Sequence, residues 1–165
     1  MTGFLLQFRI IPNKVHIPMD AHLTKLQRDN LQEALSKAGQ KLTTQREIVY
    51  SVLLTKRDHP SVDEVYQRAR ESMPGLSLAT VYNCLETFVS CGLVRQVNHE
   101  RESTRYCPNL LPHAHFRDEA TGRVHDIELP PEILHSLKSL LPSGFQTDSI
   151  EISFHGRTQT NPKTN

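Results

Sequence analysis

From Leu23 onward, apolar residues recur at helical spacing, and short polar stretches that carry helix start and stop signals separate the runs. Leu31, Ala34, Leu35 and Ala38 share one face of a first predicted helix, which stops at Gly39, a residue suited to the left-handed conformation past a helix end. Ile48, Val49, Val52 and Leu53 mark a second helix. Val62, Val65, Tyr66, Ala69 and Met73 mark a third, which ends at Pro74-Gly75. A fourth begins at Ser77, turns Val81, Cys84, Leu85 and Phe88 inward, and stops at Gly92. Thr24-x-x-Gln27, Thr44-x-x-Glu47 and Ser61-x-x-Glu64 each have the capping-box form, in which hydroxyl and acid or amide side chains satisfy orphan amides at a helix start.

After Gly92 the period drops to two. Leu93 to Val97, a polar turn from Asn98 to Glu102, and Ser103 to Tyr106 predict a β-hairpin. Helices followed by a hairpin describe a winged helix-turn-helix, here over residues 19–107, in which the helix from Ser77 to Cys91 would be the major-groove reader. Pro108 and Pro112 bracket a linker, residues 108–112. Beyond it the pattern predicts a strand at His115 to Arg117, a turn at Ala120 to Gly122 and a strand from Arg123 to Leu129. A helix from Pro130-Pro131 to Leu141 and a strand in which Ile150, Ile152 and Phe154 alternate complete a domain over residues 113–156. The expected fold class is α+β, an N-terminal winged helix-turn-helix with a small C-terminal α/β domain. So short a domain buries little alone. Pairing with a second copy would cover its apolar residues, Ile127, Leu129, Ile133, Leu137, Leu140, Ile150, Ile152 and Phe154. Residues 1–18 show no clear period and read as a loose extension, with Met19 an alternative start, and residues 157–165 read as a frayed polar tail.

With 37% hydrophobic and 22% charged residues in 165, the composition is that of an ordinary soluble globular chain. No run approaches the ~20 apolar residues of a transmembrane helix. The apolar stretch from Gly3 to Ile11 has neither a basic leader nor a small-residue cleavage site, which argues against a signal peptide and for a cytoplasmic protein. Lys and Arg, 19 in all, nearly balance 18 Asp and Glu, so any polyanion site must be built locally. Three cysteines cannot complete a disulfide framework and suit a reducing compartment. Nine histidines in a chain without tryptophan are the compositional oddity.

Two constellations carry chemistry. On the fourth helix, Ala79, Thr80, Tyr82, Asn83 and Glu86 lie opposite the apolar face. Asn contacts adenine bidentately, Thr and Ala meet a thymine methyl, and Tyr or Ser, such as Ser77, bonds phosphate. Lys41 and Arg46 flank the second helix start and are candidate phosphate contacts. Spacing alone leaves open whether this face reads DNA, binds protein or is merely solvated. The second constellation is Cys107, His113, His115 and Asp126, with His59 before Pro60. In an extended segment His113 and His115 leave the same face and can share a metal. Thiolate, imidazole and carboxylate are ligands of first-row transition metals, although scattered histidines around a buried thiol would read the same way.

Thr43-Thr44-Gln45-Arg46, His59-Pro60-Ser61-Val62-Asp63-Glu64-Val65-Tyr66, Ser77-Leu78-Ala79-Thr80-Val81-Tyr82-Asn83, Gly92-Leu93-Val94 and His113-Ala114-His115 resemble, in order, motifs of the ferric uptake regulator family. The resemblance spans roughly residues 22–156. It implies a homodimeric metalloregulator, with a winged helix for operator DNA, a C-terminal dimerisation domain, and one divalent transition metal per subunit that closes the dimer on DNA. Ala79 to Asn83 and Asp126 are most similar to the peroxide-sensing branch, which implies Fe2+ or Mn2+ held by His59, Cys107, His113, His115 and Asp126. That branch has Asp where this chain has Cys107, whereas a Cys at this spacing resembles zinc uptake regulators, so a zinc-responsive regulator is the alternative. The family's two CxxC pairs are absent. Asp118 and Thr121 stand at the first, and no cysteine follows Cys107, which excludes a four-cysteine structural zinc on ligand count. Glu132, His135 and Asp148 are candidates for a second metal site, with surface residues the simpler reading. A zinc metalloenzyme is the competing class, but no separately placed general base stands in a recognisable catalytic motif, so the chain reads as a repressor and not an enzyme.

Overall fold

The structure, a computed structural model, describes residues 23–98 and 103–158. The chain divides into two units, with the division between Leu110 and Leu111. In the first unit four helices, α1 (Lys25–Lys37), α2 (Thr44–Thr55), α3 (Val62–Ser72) and α4 (Leu78–Ser90), precede a hairpin of β1 (Arg95–Val97) and β2 (Arg105–Cys107). This is the expected winged helix. Its hairpin is antiparallel, with Gln96 opposite Tyr106. The expected polar turn falls partly on residues 99–102, outside the described residues, as do the expected extension over residues 1–18 and the alternative start at Met19.

Local chemistry explains the boundaries. The boxes at Thr24 and Ser61 form as expected, with Gln27 and Glu64 returning their side chains to the cap amides. The second helix differs: Thr43, not Thr44, is the N-cap and accepts from the Arg46 amide, which leaves Glu47 one place too late to close a box. Gly39 and Gly92, past the ends of α1 and α4, have φ of +69° and +68°, the left-handed conformation expected of them. The core draws Leu31 and Leu35 from α1, Val49 and Leu53 from α2, Val65 and Ala69 from α3, and Val81, Leu85 and Phe88 from α4. Tyr50 packs edge-on against Phe88 at 5.3 Å between ring centres. Leu93 and Val94 are both buried and Arg95 and Gln96 both exposed, so the alternation expected from Leu93 is not kept, and the strand itself begins only at Arg95.

The second unit holds β3 (His113–Asp118), β4 (Val124–Glu128), α5 (Pro131–Ser139) and β5 (Ser153–Gly156). Strand β3 is central, antiparallel to β4 and parallel to β5. It starts two residues earlier than its apolar pattern indicated, because both histidines take part in the ladder to β4. The last strand is shorter than expected, since Ile150 and Ile152 precede it, and α5 ends before Leu140 and Leu141. No residue of α5 is buried, Leu140 is 76% exposed and Phe154 46%. Of the apolar residues expected to be covered by a second copy, Leu140 and Phe154 are thus exposed, Ile127, Ile133, Leu137, Ile150 and Ile152 are half-buried, and Leu129 is buried within one copy. The tail expected to fray from residue 157 is tied at Thr158, whose hydroxyl donates to Asp118 Oδ2 at 2.9 Å. Asp118 also accepts from the Ala120 amide and the Thr121 hydroxyl. These bonds hold its carboxyl below the usual carboxylate range, the Ala120 amide most of all. Among the described residues, no helix is long and apolar enough to cross a membrane.

Candidate metal centre

Each unit holds its own group of buried or nearly buried ligand-type side chains. In the second unit, alternation along β3 places His113 and His115 on one sheet face, and the register sets Asp126 of β4 opposite His115. The two Nε2 atoms are 2.9 Å apart, and Asp126 Oδ1 lies 3.5 Å from that of His113 and 3.7 Å from that of His115. The three side chains are only 1%, 14% and 10% exposed. His113 Nδ1 is 2.6 Å from the Leu111 carbonyl. A carbonyl only accepts, so Nδ1 carries a proton, and in the neutral imidazole Nε2 is then the atom that offers a lone pair toward His115 and Asp126. That tautomer is the one a metal-binding imidazole needs.

In the first unit, His59 and Cys107 are 1% and 0% exposed, and a His59 ring nitrogen lies within 4.8 Å of Cys107 Sγ. His59 has φ of +53°, a left-handed conformation that costs a residue with a Cβ about 1–3 kcal/mol and persists only where its surroundings impose it. Asp58 beside it takes two bonds of 2.8 Å from Arg68 and an ion pair of 2.8 Å from Lys56. Burial pushes the Asp58 carboxyl up, but the bonds and charges of Arg68 and Lys56 outweigh it and hold it below the usual range.

The donor atoms suit a divalent transition metal. Two nitrogens bound about 2.0–2.1 Å from one ion stand roughly 3 Å apart, as the two Nε2 atoms do, and a buried carboxylate beside them needs a compensating positive charge. Glu132 and His135 are exposed on α5, Asp148 is exposed beyond it, and among the described residues they do not gather into a cluster of this kind.

On α4 the residues singled out for DNA sit at or near the helix start. Ser77 is the N-cap, accepting from the Thr80 amide at 3.1 Å, and its hydroxyl lies 2.8 Å from that of Thr80. Ala79, Tyr82 and Asn83 are exposed, Tyr82 by 44%. Lys41 is exposed, but Arg46 is half-buried and already engaged, donating to the Lys41 carbonyl and, at 2.7 Å, to Gln40 Oε1. Sequence reasoning passed over Arg105, which donates to the His59 carbonyl at 2.9 Å. Its position two residues before Cys107, on the same face of a strand, was the available signal.

The ferric uptake regulator family model matches residues 37–155. The chain belongs to this family. Among curated relatives, the peroxide-responsive repressor PerR of Staphylococcus epidermidis is 34% identical over 97 residues, 59% of this chain and 65% of that protein, so the match spans less than two thirds of the relative. Among solved structures, the ferric uptake regulator from Pseudomonas aeruginosa with manganese is similar with a TM-score of 0.67 at 26% identity, covering 78% of this chain and 98% of that one. The Campylobacter jejuni peroxide stress regulator is similar with a TM-score of 0.63 at 25% identity, covering 84% and 99%.

Proposed function

We propose that this family member is a metal-dependent, DNA-binding transcriptional repressor, loaded with ferrous iron or manganese and responsive to peroxide. The observation that carries the reading is the buried set of His113, His115 and Asp126, with the His113 tautomer fixed by the Leu111 carbonyl. The relatives named for peroxide response favour that signal over others.

In this reading one ion takes ligands from both units: His59 and Cys107 from the first, His113, His115 and Asp126 from the second. Asp126 supplies negative charge, the imidazoles supply neutral donors, and burial keeps bulk water from competing. Bound ferrous iron would supply the electrons that reduce peroxide, chemistry closed to zinc. The α4 surface then reads the major groove, Asn83 contacting a base edge, Ala79 and Thr80 meeting methyl groups, and Ser77, Tyr82, Lys41 and Arg46 bonding phosphate. Two copies form the homodimer through the apolar residues left open on α5 and β5, and the protein works in the cytoplasm. Its role is regulatory, not enzymatic. A second site at Glu132, His135 and Asp148 has no comparable support.

Cys107 favours the second reading, a zinc-responsive regulator, because a fully buried sulfur beside an imidazole would, as a metal-bound thiolate, suit zinc. Metal analysis of anaerobically purified protein, with operator titrations for each metal, tests both. Stoichiometric iron or manganese and operator binding lost on peroxide treatment are the expected results. Operator binding restored by zinc alone would select the alternative, and equal binding with and without every metal would sink both.

A further inference from the structure

We infer that Arg105 is a positioning residue that sets metal affinity by holding His59 in its left-handed backbone conformation. The inference rests on the reading of His59 as a metal ligand. His59 is the one non-glycine residue with positive φ among the described residues, and a proline follows it. A residue before proline is pushed toward extended backbone with negative φ, so two preferences are overcome at once.

The contacts that overcome them come from β2. Arg105 Nη1 donates to the His59 carbonyl at 2.9 Å, the Tyr106 amide donates to the Pro60 carbonyl at 3.1 Å, and Ser61 forms a β-bridge with Arg105. Glu64 Oε2 accepts from the Ser61 amide at 2.7 Å and faces Arg105 Nη1 at 3.4 Å, so one carboxylate anchors both the helix start and the guanidinium. Residues 59 to 61 are thereby fixed by two consecutive residues of the strand that ends in Cys107. On the other flank, Arg68 and Lys56 pin Asp58. Alternation puts Arg105 and Cys107 on the same face of β2, so the strand that carries the sulfur donor also aims the imidazole beside it. Without the guanidinium, His59 relaxes toward negative φ and its ring turns away from Cys107.

Cobalt(II) titration of the full chain, read by its thiolate charge-transfer and ligand-field bands, tests this. Partners that orient a metal ligand change affinity by about 10- to 100-fold when removed, and Arg105→Ala should weaken cobalt binding in that range. Acting through His59, it should have no further effect in a His59→Ala background, and its ligand-field bands should approach those of His59→Ala. Unchanged affinity in Arg105→Ala, alongside a loss in His59→Ala, overturns the positioning role and leaves the ligand reading intact. A loss that persists in the His59→Ala background overturns it equally, since Arg105 would then act on the fold at large. Cobalt binding unaffected by His59→Ala would remove the ligand reading and this inference together. Should Arg105→Ala not fold, Arg105→Lys keeps a positive charge but on a shorter stem without the planar fork, and should lose part of the affinity, again only where His59 is present. Wild-type affinity in that variant would overturn the inference.

Discussion

In the proposed function, single side chains decide which metal and which DNA this chain selects. In the proposed site Cys107 would be the one soft donor beside four hard or borderline ones, so replacing its thiol by a carboxylate should shift preference from zinc toward iron and manganese. Competition titrations should show Cys107→Asp with lower zinc affinity, and with iron loaded, greater loss of operator binding to peroxide. If neither property moves, Cys107 is a packed thiol. On the proposed DNA face, Asn83 is exposed on α4 while Ser77 and Thr80 occupy each other at the helix start, which leaves the amide as the better candidate for reading a base. Asn83→Ala should cost ~1–3 kcal/mol on operator DNA and nothing on random DNA, since base contacts specify and phosphate contacts position. Equal losses on both in a gel-shift comparison would assign it to the backbone. Arg46 illustrates what sequence leaves out: its charge suggested a phosphate contact, but a guanidinium shared with Lys41 and Gln40 must release them to make one.

Secondary-structure elements were legible where local chemistry sets them and obscure where distant partners do. Helices α1, α3 and α4 begin and end beside the caps and glycines that sequence names, because capping is a bond between residues three apart. Strand β3 was under-read since His113 and Ala114 owe their extended state to Glu128 and Ile127 across the sheet. The pair His113 and His115 was legible from spacing alone, whereas the role of the Leu111 carbonyl and the reach of Arg105 depend on how the backbone turns. Asp118 was marked only as a missing cysteine, yet it ties β3 to the chain beyond β5 through Thr158. Its carboxyl sits below the ordinary value of 3.8, so the folded state favours the charged form. The stabilisation is therefore complete above that ordinary value and fades as pH falls through the lowered one. In thermal melts, Asp118→Asn should unfold at lower temperature than wild type at neutral pH, with the gap closing below about pH 4. A gap that stays constant with pH would assign the loss to geometry and not to charge.

At the scale of the whole molecule, the proposed function is a coupling between metal and DNA, and a coupling is reciprocal. If an ion held by His59 and Cys107 from one unit and His113, His115 and Asp126 from the other selects the arrangement that binds operator, then only its difference in affinity between arrangements matters. Tight binding to all of them alike would shift nothing. Allosteric couplings of ~1–3 kcal/mol correspond to roughly 5- to 150-fold in affinity, so chelating the metal should weaken operator binding by a factor in that range. The same factor must appear from the other side: saturating operator DNA should tighten manganese binding by as much as manganese tightens DNA binding. His115→Ala removes one donor from β3 and leaves α4 untouched, so it should bind operator as weakly as metal-free wild type and no longer respond to added manganese. Manganese is the ion of choice for this measurement because it does not drive the peroxide reaction that ferrous iron would, and the equilibrium is then read without loss of ligands. Manganese affinity that is the same with and without operator would show that metal binding and DNA binding are separate properties of the chain, whatever ion occupies the site.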